Sequence, residues 1–545
     1  MPDIFAEFEF VTYTKLNNTF GLYALQADLL TLGDSVTGLS GSIAGQAASI
    51  AALQAAEAST ALLPFIQSIT VPAAVGLLSY LPPSTGGVAR GLVGKLSDQM
   101  SVADFGAVGD GVADDTAAVQ AAIVAAEAHA RSLHLIGLTG CVFKITAPLT
   151  ITGPLRLIGT GTAQSSLTAA GNFAAILSLT GACQQVWVEH LGLIQTGTTT
   201  RCVVAAPGAQ GIKFFETSFT GNLSGILVYT QAAGFVEFQN CIWLCSAAST
   251  IGIVFDGYNQ NCEISGGHAG GAGTFLIVQN STGNVANNVQ GLRICDFASV
   301  CTGPTAITIS DQAFGTFLSN CVIDQAGTAC VLIEAGAELT QIAGGYYGVT
   351  DTVHGICIQV AATAGAGTTI DDVQCFGGAQ SIAVQASVSS RVTQVSIRNN
   401  SFSAAAACSL VLDSVNGCQV EGNLDMGSPS LGSWATSATN AAGAYTFGNN
   451  TWTAHTLSTV DPTSSYRATP DRGVTLAAKG QSTSGAGATS LVVNHGLLLT
   501  PSAINVTPIG SVGAFWLSAV GATSFTINWT TTGTFTWLWD AGVHD

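Results

Sequence analysis

The sequence predicts a mainly β protein: a solenoid of stacked short strands, preceded by a helical rod and followed by a small antiparallel β-sandwich. Three observations carry this. Between residues 185 and 426 a strand theme recurs about every 25 residues with no helix between repeats. Upstream, apolar residues fall at alternating spacings of three and four. Past residue 461 the pattern changes to longer alternating segments rich in tryptophan.

The repeat is read from segments such as VWVEHLGLI, IKFFETSF, VEFQNCIWL, LRICDFASV and VSIRNNSFS. Their starts fall near Val188, Ile212, Val236, Cys262, Leu292, Phe317, Thr340, Ile370, Val395 and Gln419. Second strands (GILVY, IGIVF, TFLIV, AITIS, CVLIE, ICIQV) lie between them. Short β-branched strands bounded by Gly, Asn or Ser, at a fixed long period, mean coils that stack about 4.8 Å apart and share one core. The 14 cysteines run only from Cys141 to Cys418, the span of the repeat. Recurring QNC, SNC and NGC triplets place them as buried free thiols, with asparagines stacked from coil to coil. The one close pair, Cys241 and Cys245, has no second pair to complete a zinc site.

The rod is a heptad seam with Leu22, Leu29, Val36, Ile43 and Ile50 at a, and Leu25, Leu32, Leu39, Gln46 and Leu53 at d. Gly33, Gly38, Gly41 and Gly45 each weaken an isolated helix by about 1 kcal/mol relative to alanine. The seam therefore calls for an oligomeric coiled coil. A Pro/Gly/Ser/Thr linker follows. The nearby GGVARGLVGKLS fails as a phosphate loop, because that motif needs Gly and Thr or Ser where Ala89 and Leu96 stand.

Composition limits function. Only 8% of residues are charged, against roughly 25% in an average soluble domain, and the formal net charge is −18. Nucleic acid and anionic membranes attract basic surfaces, so neither is an expected partner. No apolar run reaches the ~18 residues of a membrane helix, and MPDIFAEFEF lacks the basic and apolar regions of a signal peptide. Folding in a cytoplasm and later work outside the cell are expected. No cofactor or metal site is implied.

The stretch DFGAVGDGVADDTAAVQAAI, residues 104–123, holds four aspartates and three glycines. Asp114 or Asp115 suits a helix N-cap, and Val119, Ala122, Ile123 and Ala126 form the stripe of a short helix that covers the open end of the first coil. Asp104, Phe105, Gly106, Gly109, Asp110, Gly111, Asp114, Asp115, Thr116, Gln120 and Ile123 also match a signature. The stretch resembles the opening of the pectate-lyase-like right-handed parallel β-helix superfamily, in the form common among bacteriophage tailspikes and tail-fibre depolymerases. The C-terminal NHGL…TP…VTP…FTI…FTW pattern is similar to tail-fibre modules that trimerise or bind glycan.

The resemblance implies a homotrimer in the virion, assembled in the host cytoplasm, attached to tail or baseplate proteins by its N-terminus and contacting a bacterial surface glycan. The expected organisation is residues 1–20 for virion attachment, 21–76 coiled coil, 77–100 neck, 101–460 β-helix with its capping helix, and 461–545 the C-terminal sandwich. The expected function is a receptor-binding tailspike that binds a bacterial surface polysaccharide and, if catalytic, depolymerises it. The alternative is a non-catalytic adhesive or structural spike. Glycoside hydrolysis needs two carboxyl groups about 5 Å or roughly 6.5–9.5 Å apart. The ends of the second strands offer Asp256, Asp311 and Glu334 for this, with Glu216, Glu237, Asp324 and Asp351 as further candidates. A lyase is disfavoured, since no dense aspartate cluster is present. Trp243, Tyr258, Tyr346 and Tyr347 are the expected sugar platforms.

Overall fold

The computed structural model describes residues 99–427 apart from short gaps (130–131, 138–139, 199, 282–287, 311–312, 335, 362–363, 386–391, 414). It also describes strands at 434–436, 444–451 and 465–468, residues 477–542 apart from 496–499 and 522, and a two-residue pairing of Ser79–Tyr80 with Arg90–Gly91. The expected attachment segment, heptad seam and most of the neck lie outside the described residues.

The repeat folds as a parallel solenoid. A sheet of twelve strands runs from Leu149–Ile151 to Trp434–Thr436, each strand paired in parallel with the one a coil away. The rest of each coil forms the second, larger parallel sheet. Most segments read above as a single first strand are two strands, although Phe317–Ala326 and Gln341–Val349 each run unbroken through the bend. Gln184–Glu189 and Gly192–Gln195, for example, are separated by a bend at His190.

That bend recurs from coil to coil after the first. Glu216, Asn240, Asp296, Asn320, Asp372 and Asn399 all sit there with φ between 44° and 56°, and Gly266, Gly344 and Gly422 fill the place in other coils. A left-handed residue costs roughly 1–2 kcal/mol unless it is Gly, Asn or Asp, which explains the recurring residue types. Glycine is also needed one position on in two coils, where a Cβ on Gly267 or Gly345 would strike the carbonyl oxygen of Cys241 or Cys321. Asn240 of QNC and Asn320 of SNC are therefore bend residues, while Asn261 is left-handed at a separate position ahead of its strand, and they form no interior asparagine ladder.

An interior asparagine ladder exists elsewhere. Asn400, Asn423 and Asn450 are buried one above another; Asn400 Nδ2 donates to Asn423 Oδ1 at 2.9 Å, and Asn423 Nδ2 to Asn450 Oδ1 at 2.8 Å. Each Nδ2 also donates to a backbone carbonyl, of Ile370, Ile397 and Val420 respectively. Cys241 and Cys321 occupy this interior position in earlier coils and donate to the carbonyls of Phe214 and Ile294.

All 14 cysteines are free, and only Cys141 and Cys295 are even partly exposed. Burial pushes the thiols of Cys202, Cys241, Cys262, Cys321, Cys408 and Cys418 up to about 12. A thiol reagent at pH 8 is expected to modify at most two cysteines in the native protein and all fourteen after unfolding. Rapid native modification of more than two would contradict this interior.

The helix Thr116–His129 closes the N-terminal end, burying Val119, Ala122, Ile123 and Ala126. Asp114 Oδ1 accepts from the Thr116 amide at 3.1 Å, and buried Asp115 accepts from the amides of Val108 and Gly109. Gln120 both accepts from Thr150 N and donates to Thr150 O, while Glu127 accepts from the amides of Thr152 and Gly153. The helix thereby satisfies the open edge of the terminal strand Leu149–Ile151.

The C-terminal module is two three-stranded antiparallel sheets around Val493, Phe525, Ile527, Trp529, Trp537 and Ala541. Trp529 and Trp537 are expended on the module's own core, with centroids 5.3 Å apart.

Candidate functional site

Strand alternation decides which side chains face solvent. In Gln184–Glu189, Val186 and Val188 point into the coil, so Trp187 and Glu189 point out. The parallel register then lines up Arg156, Trp187, Lys213, Glu237, Glu263 and Arg293 on six successive coils.

Trp187 is 42% exposed, far more than packing alone would leave it. Arg156 Cζ lies 5.8 Å from its ring centre and Lys213 Nζ 5.9 Å from it. Arg156 grips Glu189 with two hydrogen bonds of 2.9 and 2.8 Å, which holds the guanidinium's pKa above its ordinary value. Lys213 pairs with Glu237 at 2.6 Å. Two adjoining clefts result. One of about 240 Å³ is lined by Trp187, Glu189, Lys213, Phe215, Glu237 and Gln239. The other, about 550 Å³, runs past Arg156, Trp187 and Lys213 toward Ser132 and Pro154. At the neighbouring bend His190 Nδ1 lies 3.1 Å from Glu216, and its ring meets Phe215 edge-on at 5.4 Å. An exposed indole between paired charges, open along the solenoid axis, is a surface on which a flat ring with apolar faces and hydroxyl edges can lie.

The residues expected from sequence are scattered around the coil. Asp256 is buried at the end of a strand in the twelve-stranded sheet. Its carboxylate accepts from Tyr229 OH at 2.6 Å, Ser281 N at 2.8 Å, Ser281 Oγ at 2.7 Å and Gln279 Nε2 at 3.4 Å. Burial works to raise its pKa, and these hydrogen bonds outweigh it, so the group is held ionised below the usual carboxylate range. Arg201 stacks 4.3 Å above the Tyr229 ring, and Tyr229 itself is pushed up to about 12, by burial first and by Asp256 second.

Glu334 is half-buried and occupies the same row three coils on, after Gln279 and Ser310. Three coil steps are about 14 Å, beyond either glycosidase spacing. Asp311 lies outside the described residues. Asp256→Ala should lower unfolding free energy by roughly 2–4 kcal/mol, since it strands Tyr229 OH and the Ser281 amide. Because the folded pKa is depressed, the carboxylate's contribution is complete above about pH 4 and lost as pH falls through the folded value. Denaturation of the variant and the parent at pH 7 and pH 3 should therefore differ less at pH 3.

Two expected platforms cannot present a face to a sugar. Trp243 and Tyr347 have no exposed surface, because each falls on an inward position of its strand. Tyr258 is exposed at the turn after Asp256, with its hydroxyl bonded to Gln260. Tyr346 is half-buried and stacks on Phe376 at 6.3 Å. Trp187 was missed, although the alternation of VWVEHL already turns it outward. Among the described residues no group of three His, Cys, Asp or Glu side chains could hold a metal ion, and no helix is long and apolar enough to cross a membrane.

Comparison with known proteins places this architecture. Residues 99–340 match the family model described as rhamnogalacturonase A/epimerase, pectate lyase-like. No curated protein matches the sequence. Among solved structures, the tailspike gp61 of Pseudomonas phage phi297 aligns with a TM-score of 0.55 at 12% identity, over 82% of this chain and 99% of that one. The Dettilon tailspike gp208 aligns at 0.51 and 12% identity, covering 83% and 96%. A mutant tailspike of Escherichia coli bacteriophage HK620, solved with a hexasaccharide, aligns at 0.52 and 8% identity, covering 88% and 100%. At such identities the shared property is the fold, a β-helix of the tailspike kind.

Proposed function

We propose that this protein is a phage tailspike whose β-helix holds a bacterial surface polysaccharide in the groove centred on Trp187. The exposed indole between Arg156 and Lys213 carries the reading: it offers an aromatic face beside charged and amide groups that can bond ring hydroxyls. Stacking of an aromatic on a ligand ring commonly decides such affinity, and hot-spot losses exceed 2 kcal/mol. Trp187→Ala is expected to weaken binding of the host envelope polysaccharide at least 30-fold while leaving the thermal midpoint within a few degrees. Unchanged affinity in the folded variant would overturn the assignment. The homotrimer, the virion location and the N-terminal attachment to the tail belong to the same reading, supported by the heptad seam and by the likeness to tailspikes.

A hydrolase is the second reading, favoured by one observation: Glu189 and Glu237 line a single cleft. Both are paired with cations, which suits a base or nucleophile better than an acid. New reducing ends from the bound polysaccharide, lost in Glu237→Gln, would support hydrolysis. Binding without new ends would leave the adhesive spike.

A further inference from the structure

The outward row that carries Trp187 continues past its cleft through Glu237, Glu263 and Arg293 to Phe317 and Gln341. Phe317 thus lies five coils beyond Trp187, about 24 Å along the axis. Large apolar side chains gather there on the surface: Phe317 is 38%, Phe314 43% and Leu339 46% exposed. Leu339 stands two residues ahead of Gln341, where the neighbouring coils place Gly315 and Gly367, and its φ is 52°. A left-handed backbone is strained for a leucine, and strain kept beside exposed rings points to a use other than folding. A Cβ on Gly315 would lie 3.5 Å from Phe317 Cε2, and one on Gly367 2.7 Å from Leu339 Cδ2, so both side chains lean across a bare backbone. Phe235, also left-handed and exposed, holds the equivalent position two coils beyond Trp187.

Arg293 is exposed one coil before Phe317. Among the described residues, Lys144, Arg156, Arg201, Lys213 and Arg398 each rest on a partner: the Val112 carbonyl, a carboxylate or the Tyr229 ring. Arg293 has no such partner among them. Glu263, on its other side, is met instead by Cys295, whose Sγ lies 4.0 Å from Oε1. In a chain of 14 basic and 32 acidic residues, a cation left free beside exposed rings is unusual.

We propose that Arg293, Phe314, Phe317 and Leu339 form a second sugar subsite on the Trp187 face, which takes a ring bearing a carboxylate or phosphate. The proposal rests on the Trp187 reading and adds the class of sugar and the reach of the chain held. A glycan following the axis from Trp187 passes Phe235 and arrives at Phe317. There the phenyl faces take the C–H side of a ring, and the planar guanidinium meets its anionic group with paired hydrogen bonds. Three apolar side chains fall well short of the area of a stable protein contact, but they suffice for a sugar ring.

The test uses the full chain and the host envelope polysaccharide in four forms: native, carboxyl-reduced, dephosphorylated, and cut to fragments that fill the Trp187 cleft alone. Arg293→Gln and Phe317→Ala are each expected to weaken binding of the native chain roughly tenfold and to leave fragment binding unchanged. Carboxyl reduction or dephosphorylation, whichever removes the charge, should weaken the parent protein by a similar factor and Arg293→Gln no further. Parental affinity of Arg293→Gln for the native chain overturns the proposal, as does an equal loss with charged and neutralised chains. If Trp187→Ala has no effect while both new variants lose affinity, the Trp187 reading falls and this subsite stands. Loss in Trp187→Ala alone keeps that reading and removes the subsite.

Discussion

Asn423→Ala is expected to lower the unfolding free energy by roughly 3–6 kcal/mol, an unusually large loss for one polar side chain. Asn423 Oδ1 accepts from both the backbone amide and Nδ2 of Asn400, at 3.0 and 2.9 Å, while its own Nδ2 donates to Ile397 O at 3.0 Å. The whole group is buried, so no water replaces what alanine removes. The Asn400 amide and the Ile397 carbonyl are left without partners, at about 1–3 kcal/mol each, and Asn400 Nδ2 keeps only its bond to Ile370. Asn423→Asp should fail as well, because a carboxylate cannot donate to Ile397 O. Solenoid unfolding need not be two-state, so the thermal midpoint and the unfolding rate in denaturant are the quantities to compare. An exposed control, Gln374→Ala, should change either by little. A midpoint for Asn423→Ala within a degree of the parent would show that the ladder adds nothing.

Trp243→Ala should cost about 3–5 kcal/mol and leave polysaccharide binding intact in whatever fraction stays folded. The indole is packed among Phe219, Phe238, Phe275 and Phe297, with centroids 5.3 to 5.7 Å away. Its Nε1–H has no hydrogen-bond partner, so the loss is one of packing and cavity. Trp243→Phe should therefore recover most of the stability. The pair Trp243→Ala and Trp187→Ala then separates the two tryptophans, one acting on stability and the other on affinity. A folded Trp243→Ala protein that no longer binds glycan would reverse their roles.

The strand period was legible because β-branched inward residues recur in a core that has no room for anything else. Even so, the first repeat start is displaced: Ile212 pairs with Val186, not with Val188. A strand pattern alone gives no anchor for register. The bend escaped notice for a related reason. In VEFQNCIWL the left-handed Asn240 keeps the apolar residues coming, so two strands look like one. The helix Thr116–His129 was plain from its N-cap aspartates and apolar spacing. Tryptophans were harder, since an aromatic at a strand position is equally suited to core and surface. Only the parity of its neighbours separates inward Trp243 from outward Trp187. Asp256 and Glu334 end strands of one row, and Asp311, between them in sequence, lies outside the described residues. Register puts three coils between Asp256 and Glu334, and that distance is written in the pairing of Ile309 and Val278, not in either acidic residue.

The repeats differ in length by up to seven residues, yet every bend residue stacks in one row. Extra residues are absorbed in the connections while the rungs keep their spacing. Insertions and deletions in those connections can thus accumulate over generations without disturbing the frame on which Trp187 and its neighbours are mounted. On the proposed function, a lineage confronted by a changed host coat could alter the walls of its groove and keep the floor, so evolvability here is a property of the turn geometry.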